Sequence, residues 1–276
     1  EAYGELYELK KAGQLFAQDD YIDVSRYIPV NAPVKALCLH VAHDCNLRCK
    51  YCFASTGDFG QGRKIMPPEI AKKAIDFVIA RSGVRHNIEV DFFGGEPLMA
   101  WDTVTQTVDY ARSLEEKHNK KFRFTITTNG LLLDEDKRKY INENMDNCVL
   151  SLDGRREVND EFRKTVAGTG SYDTIVPKFK ALVDERDPNL DYYARGTFTS
   201  HNLDFAEDVL SIADAGFDRL SVEPVTADPG CGYDLTEDDL PKIEAEYDRL
   251  TDIMLERKKE GKPFTFFHFM VDLDQG

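Results

Sequence analysis

Short apolar runs alternate with segments of helical periodicity along most of the chain. The apolar runs have the length and the β-branched or aromatic content of buried strands. They cover residues 35–42, 88–93, 122–127, 148–152, 192–198 and 219–225. Because a helical pattern follows each run, we predict an α/β fold of six strand-then-helix units, with a parallel sheet and right-handed crossovers. Such a sheet stays open and doubly wound, or curves into a barrel with the helices outside.

Three helices of the repeating region have readable patterns. Pro67-Pro68 opens the first, and its apolar residues recur every four positions before Gly83: Ile70, Ala74 and Val78. The second has one apolar face, formed by Val104, Val108, Ala111 and Leu114. The third begins at Thr236, where Asp239 completes a near capping box. Its predicted inward residues are Leu240, Ile243, Tyr247 and Leu250.

These patterns predict three parts along the chain. Residues 1–33 form a helical lead-in, whose loosely amphipathic stretch carries Leu6, Leu9, Leu15 and Phe16. Residues 34–262 form the core of six units, and residues 263–276 begin a connection to a further C-terminal domain. The sequence begins at Glu1 rather than Met and ends just after an apolar segment, so we expect it to be part of a longer protein.

The charge balance narrows the range of partners. The chain has 50 acidic and 35 basic residues, and its formal net charge is −15. Such a surface repels phosphate backbones and anionic lipid heads, so nucleic acid and membrane are not expected as main partners. No apolar run approaches the roughly 18 residues of a membrane span, and no basic-then-apolar leader is present.

Unusual polar residues and glycines follow each predicted strand at its carboxyl end. In order along the chain they are Cys45, Cys49 and Cys52; Gly94 to Pro97; Thr128 to Gly130; Ser151, Asp153 and Gly154; Arg195 and Thr197; and Glu223-Pro224. Loops collect such residues anyway, so one occurrence alone indicates a turn. Six occurrences in register indicate an active site, because the carboxyl ends of barrel strands share one face.

The cysteine spacing is the strongest chemical signal. Three of the six cysteines, Cys45, Cys49 and Cys52, fall within eight positions, and clustered cysteines in a reducing cytosol favour metal or redox chemistry. A tight loop of this spacing can bind three irons of an iron–sulfur cube and leave the fourth iron open to a ligand. The alternative is a structural zinc site completed by His40 or His43, although zinc sites tend to pair cysteines two apart. A disulfide with a spare thiol is a weaker alternative.

Other candidate residues have a functional and a structural interpretation. Gly94-Gly95-Glu96-Pro97 is either a simple turn or a close backbone approach to a ligand, with Glu96 accepting from an ammonium group. Arg195 either points outward into solvent or a salt bridge, or points inward to a ligand carboxylate. Loop 154–171, with Asp160 and Arg163, is a candidate peptide contact.

The remaining cysteines and one histidine fit structural roles. Cys38 and Cys148 lie within strand runs and are predicted to be small buried residues. Cys231 lies in a glycine-bearing loop, either as a loop thiol or as a ligand of a cluster or substrate. His268, among three phenylalanines, is predicted to be packed and hydrogen-bonded.

The segment Cys45-Asn46-Leu47-Arg48-Cys49-Lys50-Tyr51-Cys52 resembles the CxxxCxxC signature of the radical S-adenosylmethionine (SAM) superfamily. The resemblance implies a partial (βα)6 TIM-like barrel with a 4Fe–4S cluster and SAM. It places Tyr51 near the adenine of SAM. It also implies that Gly94, Gly95, Glu96 and Pro97, which resemble the GGEP motif, hold the SAM amino group, and that Ser151 and Arg195 contact its ribose and carboxylate.

A narrower resemblance covers nearly the whole chain. Residues 40–45, 53–60 and 267–273 are similar to SCIFF peptide maturases, which link cysteine sulfurs to threonine carbons in a Cys-rich ribosomal peptide. It implies reductive cleavage of SAM to a 5′-deoxyadenosyl radical, a ribosomal precursor peptide as substrate and a flavodoxin or ferredoxin as reductant. It also implies an oxygen-poor cytoplasm. Sulfatase maturases and epimerases would share every SAM residue, and a zinc module or a peptide-binding scaffold is a further alternative.

Members of that family also have a peptide-recognition domain and a Cys-rich C-terminal SPASM domain with auxiliary 4Fe–4S clusters. This chain has only Cys38, Cys148 and Cys231 beyond the cysteine motif, too few for two more clusters. We therefore expect the auxiliary clusters to belong to a C-terminal domain outside this sequence.

Overall fold

A computed structural model describes residues 2–13 and 32–270 of the chain. The chain divides into two compact units, residues 1–34 and residues 35–276. In the first unit the described residues form one helix, α1 (Ala2–Lys11), on which Leu6 and Leu9 are exposed. This helix agrees with the predicted lead-in helix. Leu15 and Phe16 of that prediction lie outside the described residues.

The second unit is built on one sheet of eight strands in the order β2-β1-β3-β4-β5-β6-β7-β8. All neighbours pair in parallel except β2, which is antiparallel to β1. The strands are β1 (Ala36–His43), β2 (Lys64–Ile65), β3 (Asn87–Gly94), β4 (Lys121–Thr128), β5 (Asn147–Ser151), β6 (Asp191–Phe198), β7 (Arg219–Pro224) and β8 (Thr265–Phe266). The six predicted strands are confirmed to within one residue at each end.

Helices connect the parallel strands. They are α2 (Pro68–Arg81), α3 (Trp101–His118), α4 (Glu135–Asn144), α5 (Arg156–Phe162), α6 (Tyr172–Asp184), α7 (Phe205–Asp214) and α8 (Leu240–Lys259). Within the described residues, β2 and β8 form the two edges of the sheet and do not pair with each other. The fold is therefore the predicted α/β partial barrel, left open along one side. Among the described helices, none combines the length and apolarity needed to cross a membrane.

The two faces of the sheet differ in burial. On one face, side chains such as Val90, Phe124 and Leu150 are fully buried under the helices. On the other face, alternating residues such as Glu89 and Arg123 are partly or fully exposed. Burial on one side is what an open half-barrel requires, because its inner face lines a cavity and its outer face carries the helices.

The open inner face explains one wrong prediction. Cys38 is exposed rather than buried, because it alternates with Leu37 and Leu39 and so projects from the face that the helices do not cover. Cys148 is fully buried, as predicted. A strand predicted from a run of apolar residues can thus have one exposed face.

The helix predictions are largely confirmed. On α3, Val104, Val108 and Ala111 are buried. On α2 the buried residues are Ala71, Ile75 and Val78, whereas Ile70 is 48% exposed, so the buried face differs from the predicted one. The Thr236–Asp239 capping box is present and starts a short 3₁₀ turn that leads into α8. On α8 only Leu250 is fully buried, and Leu240 is exposed.

The chain after α8 continues the sheet. Thr265 and Phe266 pair with β7, and Phe267–Phe269 form a 3₁₀ turn. His268 Nδ1 lies 3.1 Å from the Tyr247 hydroxyl, so the packed, hydrogen-bonded histidine is confirmed. That residues 263–276 lead to a further domain stays a prediction.

Candidate cofactor site

A cleft opens at the carboxyl ends of the parallel strands and collects most of the predicted site residues. Counting its open mouth, its volume is about 640 Å³. It is lined by Cys45, Cys49, Tyr51, Cys52, Gly94, Gly95, Glu96, Pro97 and Ser151. A second cleft of about 1050 Å³ shares Tyr51 and Ser151 with the first, and Arg195 and Glu223 also line it. Residues from the ends of β1 and β3 to β7 therefore meet around one connected space, as the positional pattern predicts.

The cysteine loop follows β1 and is held by backbone hydrogen bonds. Arg48 N donates to Lys164 O at 2.7 Å, and Lys50 N donates to Phe162 O at 3.0 Å. After Cys52 the chain turns through the 3₁₀ segment Ser55–Gly57, and a Cβ on Gly57 would lie 2.6 Å from Cys45 Cβ. The loop thus packs against the end of α5 on one side and against the Ser55–Gly57 segment on the other.

Gly94 and Gly95 bring the end of β3 against the cysteine loop. Gly95 N donates to Ala42 O at 2.7 Å, and Glu96 N donates to Asp44 O at 2.9 Å. A Cβ on Gly95 would lie 2.1 Å from Asp44 O, and Gly94 has a φ of +124°. The fold itself therefore requires both glycines, whatever ligand the cleft binds.

Glu96 is fully buried, and protein donors already occupy much of its carboxylate. Oε1 accepts from Leu98 N at 3.0 Å and from the Thr128 hydroxyl at 2.8 Å, and Oε2 accepts from Asn129 N at 2.8 Å. Burial raises its pKa, against the effect of these hydrogen bonds. Because a carboxylate has about four acceptor positions, one stays open for a ligand ammonium group. Binding of the SAM amino group by Glu96 stays a prediction.

Tyr51, Asp153 and Arg163 form a polar cluster at one wall of the cleft, here called the Tyr51 cluster. The Tyr51 hydroxyl donates to Asp153 Oδ2 and accepts from Arg163 Nη1 at 2.9 Å. Arg163 Nη1 lies 3.7 Å from Asp153 Oδ1. Asp153 is fully buried, and burial raises its pKa to about 6. Burial also raises the pKa of Tyr51 well above its ordinary value.

Ser151 and Arg195 are neighbours in register on β5 and β6 and line the second cleft. Arg195 Nε donates to Glu223 Oε1 at 3.0 Å, and Nη2 bonds Glu223 Oε2. The Arg195 side chain thus faces the inner space, as one of its two interpretations expects, but it makes a salt bridge there, as the other expects. A carboxylate ligand would have to share Arg195 with Glu223.

The residues around the thiols suit a sulfur-bound cluster. Cys45 Sγ accepts hydrogen bonds from Leu47 N at 3.4 Å and from Asn129 Nδ2 at 3.5 Å. Arg163 Nε is buried and has no hydrogen-bond partner within the described part of the chain. Burial raises the pKa of the Cys45 thiol to about 12 and also raises that of Cys49, so binding of the thiolates must be coupled to proton release. Donors aimed at sulfur and a spare buried donor are what metal-bound thiolates require, because hydrogen bonds to the sulfurs orient the ligands and stabilise their charge.

The donor arrangement does not favour a mononuclear zinc site. Within residues 2–13 and 32–270, no three His, Cys, Asp or Glu side chains gather around a single ion position. The rings of His40 and His43 instead pack on Phe59, at centroid distances of 4.8 and 4.9 Å. A 4Fe–4S cube binds each thiolate at a different iron, so it does not need the three sulfurs to meet at one point.

Several residues at the site had no assigned role in the sequence. Asn129 reaches Cys45 Sγ and also bonds Asn46 Oδ1 at 2.8 Å, and its position after β4 was the available signal. Phe53 and Phe93, which stack at 6.2 Å, line both clefts. Asp160 accepts hydrogen bonds from Ser171 N and Tyr172 N within its own loop, and a peptide contact of loop 154–171 stays a prediction. Cys231 is an exposed loop thiol beside Asp234.

Comparison with known proteins fixes the family. The model of the Radical SAM superfamily matches residues 39–189, which include the cysteine loop, Gly94 to Pro97 and Ser151. The chain belongs to the radical SAM superfamily. Its cofactors are accordingly a 4Fe–4S cluster and SAM, as the sequence resemblance implies.

Individual relatives of this radical SAM protein include a cyclopropyl synthase and a sulfatase-maturating enzyme. It is 29% identical over 197 residues to the radical SAM cyclopropyl synthase TigE of Paramaledivibacter caminithermalis, covering 65% of this chain and 40% of TigE. It is 29% identical over 147 residues to a cysteine-type anaerobic sulfatase-maturating enzyme of Clostridium novyi, covering 50% of this chain and 37% of that enzyme. The chain thus spans less than half the length of these two relatives.

A solved structure of native anSMEcpe with bound AdoMet and Cp18Cys peptide has the same fold. Its TM-score is 0.71 at 22% sequence identity, covering 86% of this chain and 64% of that one. At this identity the likeness supports the architecture of the barrel.

Proposed function

We propose that this chain is the radical SAM core of an enzyme that installs cysteine-to-carbon (Cys–Thr) thioether links in a ribosomally made, Cys-rich peptide. The observation that carries the proposal is the convergence of Cys45, Cys49 and Cys52 on one cleft with Gly94 to Pro97. The peptide as substrate class is supported by two relatives, a sulfatase-maturating enzyme and a structure that contains the Cp18Cys peptide. The thioether product rests on the SCIFF resemblance of residues 40–45, 53–60 and 267–273.

In this proposal the three thiolates hold the cluster, and Gly94 to Pro97 with Ser151 hold SAM beside it. When bound, these cofactors supply a 5′-deoxyadenosyl radical that removes a hydrogen atom from a substrate carbon. The protein orients the substrate and keeps water out of the space between the strand ends. Glu96 fixes the turn after β3 to the Thr128–Asn129 segment, so the cleft keeps its shape before any ligand binds.

The second cleft is the proposed peptide path. It joins the cofactor cleft at Tyr51 and Ser151 and continues past Arg195 and Glu223 at the ends of β6 and β7. Hydrogen bonds from Arg195 lower the pKa of Glu223 below its ordinary range although burial opposes this, so the wall carries a fixed pair of charges. Such a pair can bind the main chain or a charged side chain of an extended peptide.

Formation of the C–S bond releases the thiol proton and one electron, which needs an electron acceptor besides the cofactors of this core. Cys38, Cys148 and Cys231 do not provide one, because Cys148 is buried in the sheet and the other two are exposed at separate places. We propose that auxiliary clusters of a C-terminal SPASM domain accept the electron. A flavodoxin or ferredoxin in an oxygen-poor cytoplasm is the proposed source of the reducing electron.

The proposal is tested by anaerobic reconstitution with iron and sulfide, then incubation with SAM, dithionite and candidate Cys-rich peptides. We expect 5′-deoxyadenosine, and in the protein extended by its SPASM domain a peptide that has lost two hydrogens per link, with Cys49→Ala inactive in both assays. An unchanged peptide mass with inverted residues indicates an epimerase, the second candidate. If a chain that binds the full cluster forms neither 5′-deoxyadenosine nor a cross-linked peptide, the proposed function is contradicted.

A further inference from the structure

Arg163 is a buried cation whose hydrogen bonds are incomplete. It is 9% exposed, and its Nη1 reaches the Tyr51 hydroxyl and the Asp153 carboxylate. Its Nε is buried without a partner in the described part of the chain. Buried arginine is costly unless its charge and its donors are used. An arginine kept in this state needs a further acceptor, and the wall that it lines is that of the cysteine cleft.

The backbone places Arg163 opposite Cys49. Leu47 forms an antiparallel bridge with Thr165, and the two hydrogen bonds Arg48 N to Lys164 O and Lys50 N to Phe162 O continue the same register. In this register the residue opposite Cys49 is Arg163, and opposite residues of an antiparallel pair lie on the same face about 5 Å apart. The main chain of Arg163 is therefore held beside the central cysteine of the motif, and both residues line the same cleft.

Arg163 is also the one basic residue that lines the cysteine cleft among the residues that the structure describes. Two other basic residues lie in the cysteine loop: Arg48 donates to the carbonyl oxygens of Cys45 and Leu47 at 2.6 Å, and Lys50 pairs with Glu161. The guanidinium of Arg48 thus supports the loop backbone. The charge that faces the cleft belongs to Arg163.

We propose that Arg163 is a positioning residue that sets the reduction potential of the cluster, with Asp153 as the opposing charge. The inference rests on the proposed assignment of Cys45, Cys49 and Cys52 as ligands. Cluster potentials depend on net charge, on hydrogen bonds to sulfur and on exposure to solvent. A buried positive charge stabilises the reduced cluster, which carries one more electron, and a buried carboxylate destabilises it.

The test is a mediated redox titration of the reconstituted full chain, followed by electron paramagnetic resonance. In Arg163→Met, the ratio of reduced to oxidised cluster at a fixed applied potential is expected to fall by at least about tenfold, which is ~59 mV for a one-electron couple. In Asp153→Asn, which removes the negative charge but keeps one side-chain oxygen as the acceptor for Thr197 N, the ratio is expected to rise. Arg163→Lys keeps the charge and should stay nearer to the native chain than Arg163→Met.

Opposite shifts separate this role from a structural one, because a merely loosened loop would move both variants in the same direction. Arg186 supplies the control for losing a buried arginine, since it is 7% exposed and its hydrogen bonds are to Asn142, Met145 and Asp191 at the opposite end of the sheet. Arg186→Met should leave the potential unchanged.

Shifts of equal sign in Arg163→Met and Asp153→Asn, or ratios in both variants within about twofold of the native chain, overturn the proposal. If Arg163→Met does not hold the cluster, the two other variants decide the proposal. The ratio of reduced to oxidised cluster should rise in Asp153→Asn and stay near that of the native chain in Arg163→Lys. Failure of the ligand assignment shows separately, as a cluster that persists in Cys49→Ala.

Discussion

At the scale of single residues, the site depends on close backbone approaches as much as on reactive groups. Gly95 and Glu96 hold the end of β3 against the cysteine loop through hydrogen bonds to Ala42 and Asp44. The Glu96 carboxylate then ties this turn to Thr128 and Asn129. The turn that resembles a ligand-binding motif thus also holds β3, the cysteine loop and the end of β4 together. Substitutions in it should therefore lower the stability of the cofactor-free protein.

Gly95→Ala is expected to destabilise the cofactor-free protein by about 1–3 kcal/mol, the usual cost of overpacking. The added Cβ would lie 2.1 Å from Asp44 O, a backbone atom that cannot move without the cysteine loop. Urea denaturation measures the loss, and iron bound after reconstitution should fall with it. Gly4→Ala is the control, because a Cβ there meets nothing within 4 Å. If Gly95→Ala is as stable as the native protein, the structural role of Gly95 against the cysteine loop is contradicted.

Glu96→Gln is expected to cost about 1–3 kcal/mol in the cofactor-free protein, because an amide group cannot accept all three donors and one is left unpaired. The measurement is the free energy of unfolding in urea. Glu89→Gln on β3 is the control, since the Glu89 carboxylate forms a partly exposed salt bridge with Lys35 and its loss should cost less than about 1 kcal/mol. If Glu96 serves only to bind SAM, its variant will match that control.

At the scale of elements, a set of polar contacts joins the loop of Cys231 to α5 and to the cysteine loop. His201 Nδ1 lies 2.8 Å from Glu161 Oε1 on α5, and Nε2 lies 2.7 Å from Gly232 O. Glu161 also pairs with Lys50, and the Tyr233 hydroxyl donates to Lys50 O at 2.9 Å. Because both ring nitrogens of His201 face acceptors, the arrangement favours the imidazolium.

This arrangement predicts a pH dependence. The hydrogen bond to Glu161, then that to Gly232, raises the folded-state pKa of His201 above 6.5. Its stabilisation is therefore complete below about pH 6.5 and is lost as the pH rises through the raised value. The difference in unfolding free energy between native and His201→Gln proteins should shrink from pH 6 to pH 9, starting below about 1 kcal/mol because the site is exposed.

Urea titrations at several pH values measure this difference. His118→Gln, at the exposed end of α3, controls for the removal of a histidine. If the difference in unfolding free energy between the native and His201→Gln proteins grows with pH, a stabilising imidazolium at His201 is contradicted.

At the scale of the whole molecule, the pattern of the sequence predicts the six long strands because each has a buried face of mainly apolar residues. The pattern alone does not show that the inner face stays open, so it predicts a buried Cys38, whereas Cys38 projects from that open face. The cysteine motif is readable from the sequence because its three cysteines are local, within eight residues.

Long-range partners were not predictable in the same way. Arg163 and Tyr51 are 112 positions apart, and Arg195 and Glu223 are 28 apart. No periodicity connects such pairs, and only the register of β6 with β7 and of the cysteine loop with the end of α5 brings them together.

The central claim is that Cys45, Cys49 and Cys52, and no other cysteines of this chain, hold the cluster that cleaves SAM. Its most direct test is formation of 5′-deoxyadenosine from SAM and dithionite by single alanine variants of these three and of Cys38 and Cys231. We expect about four irons per chain and product from the native, Cys38 and Cys231 proteins. The other three variants should give no product. Product from Cys45→Ala, Cys49→Ala or Cys52→Ala, or a native chain that binds zinc and no iron–sulfur cluster, would contradict the account.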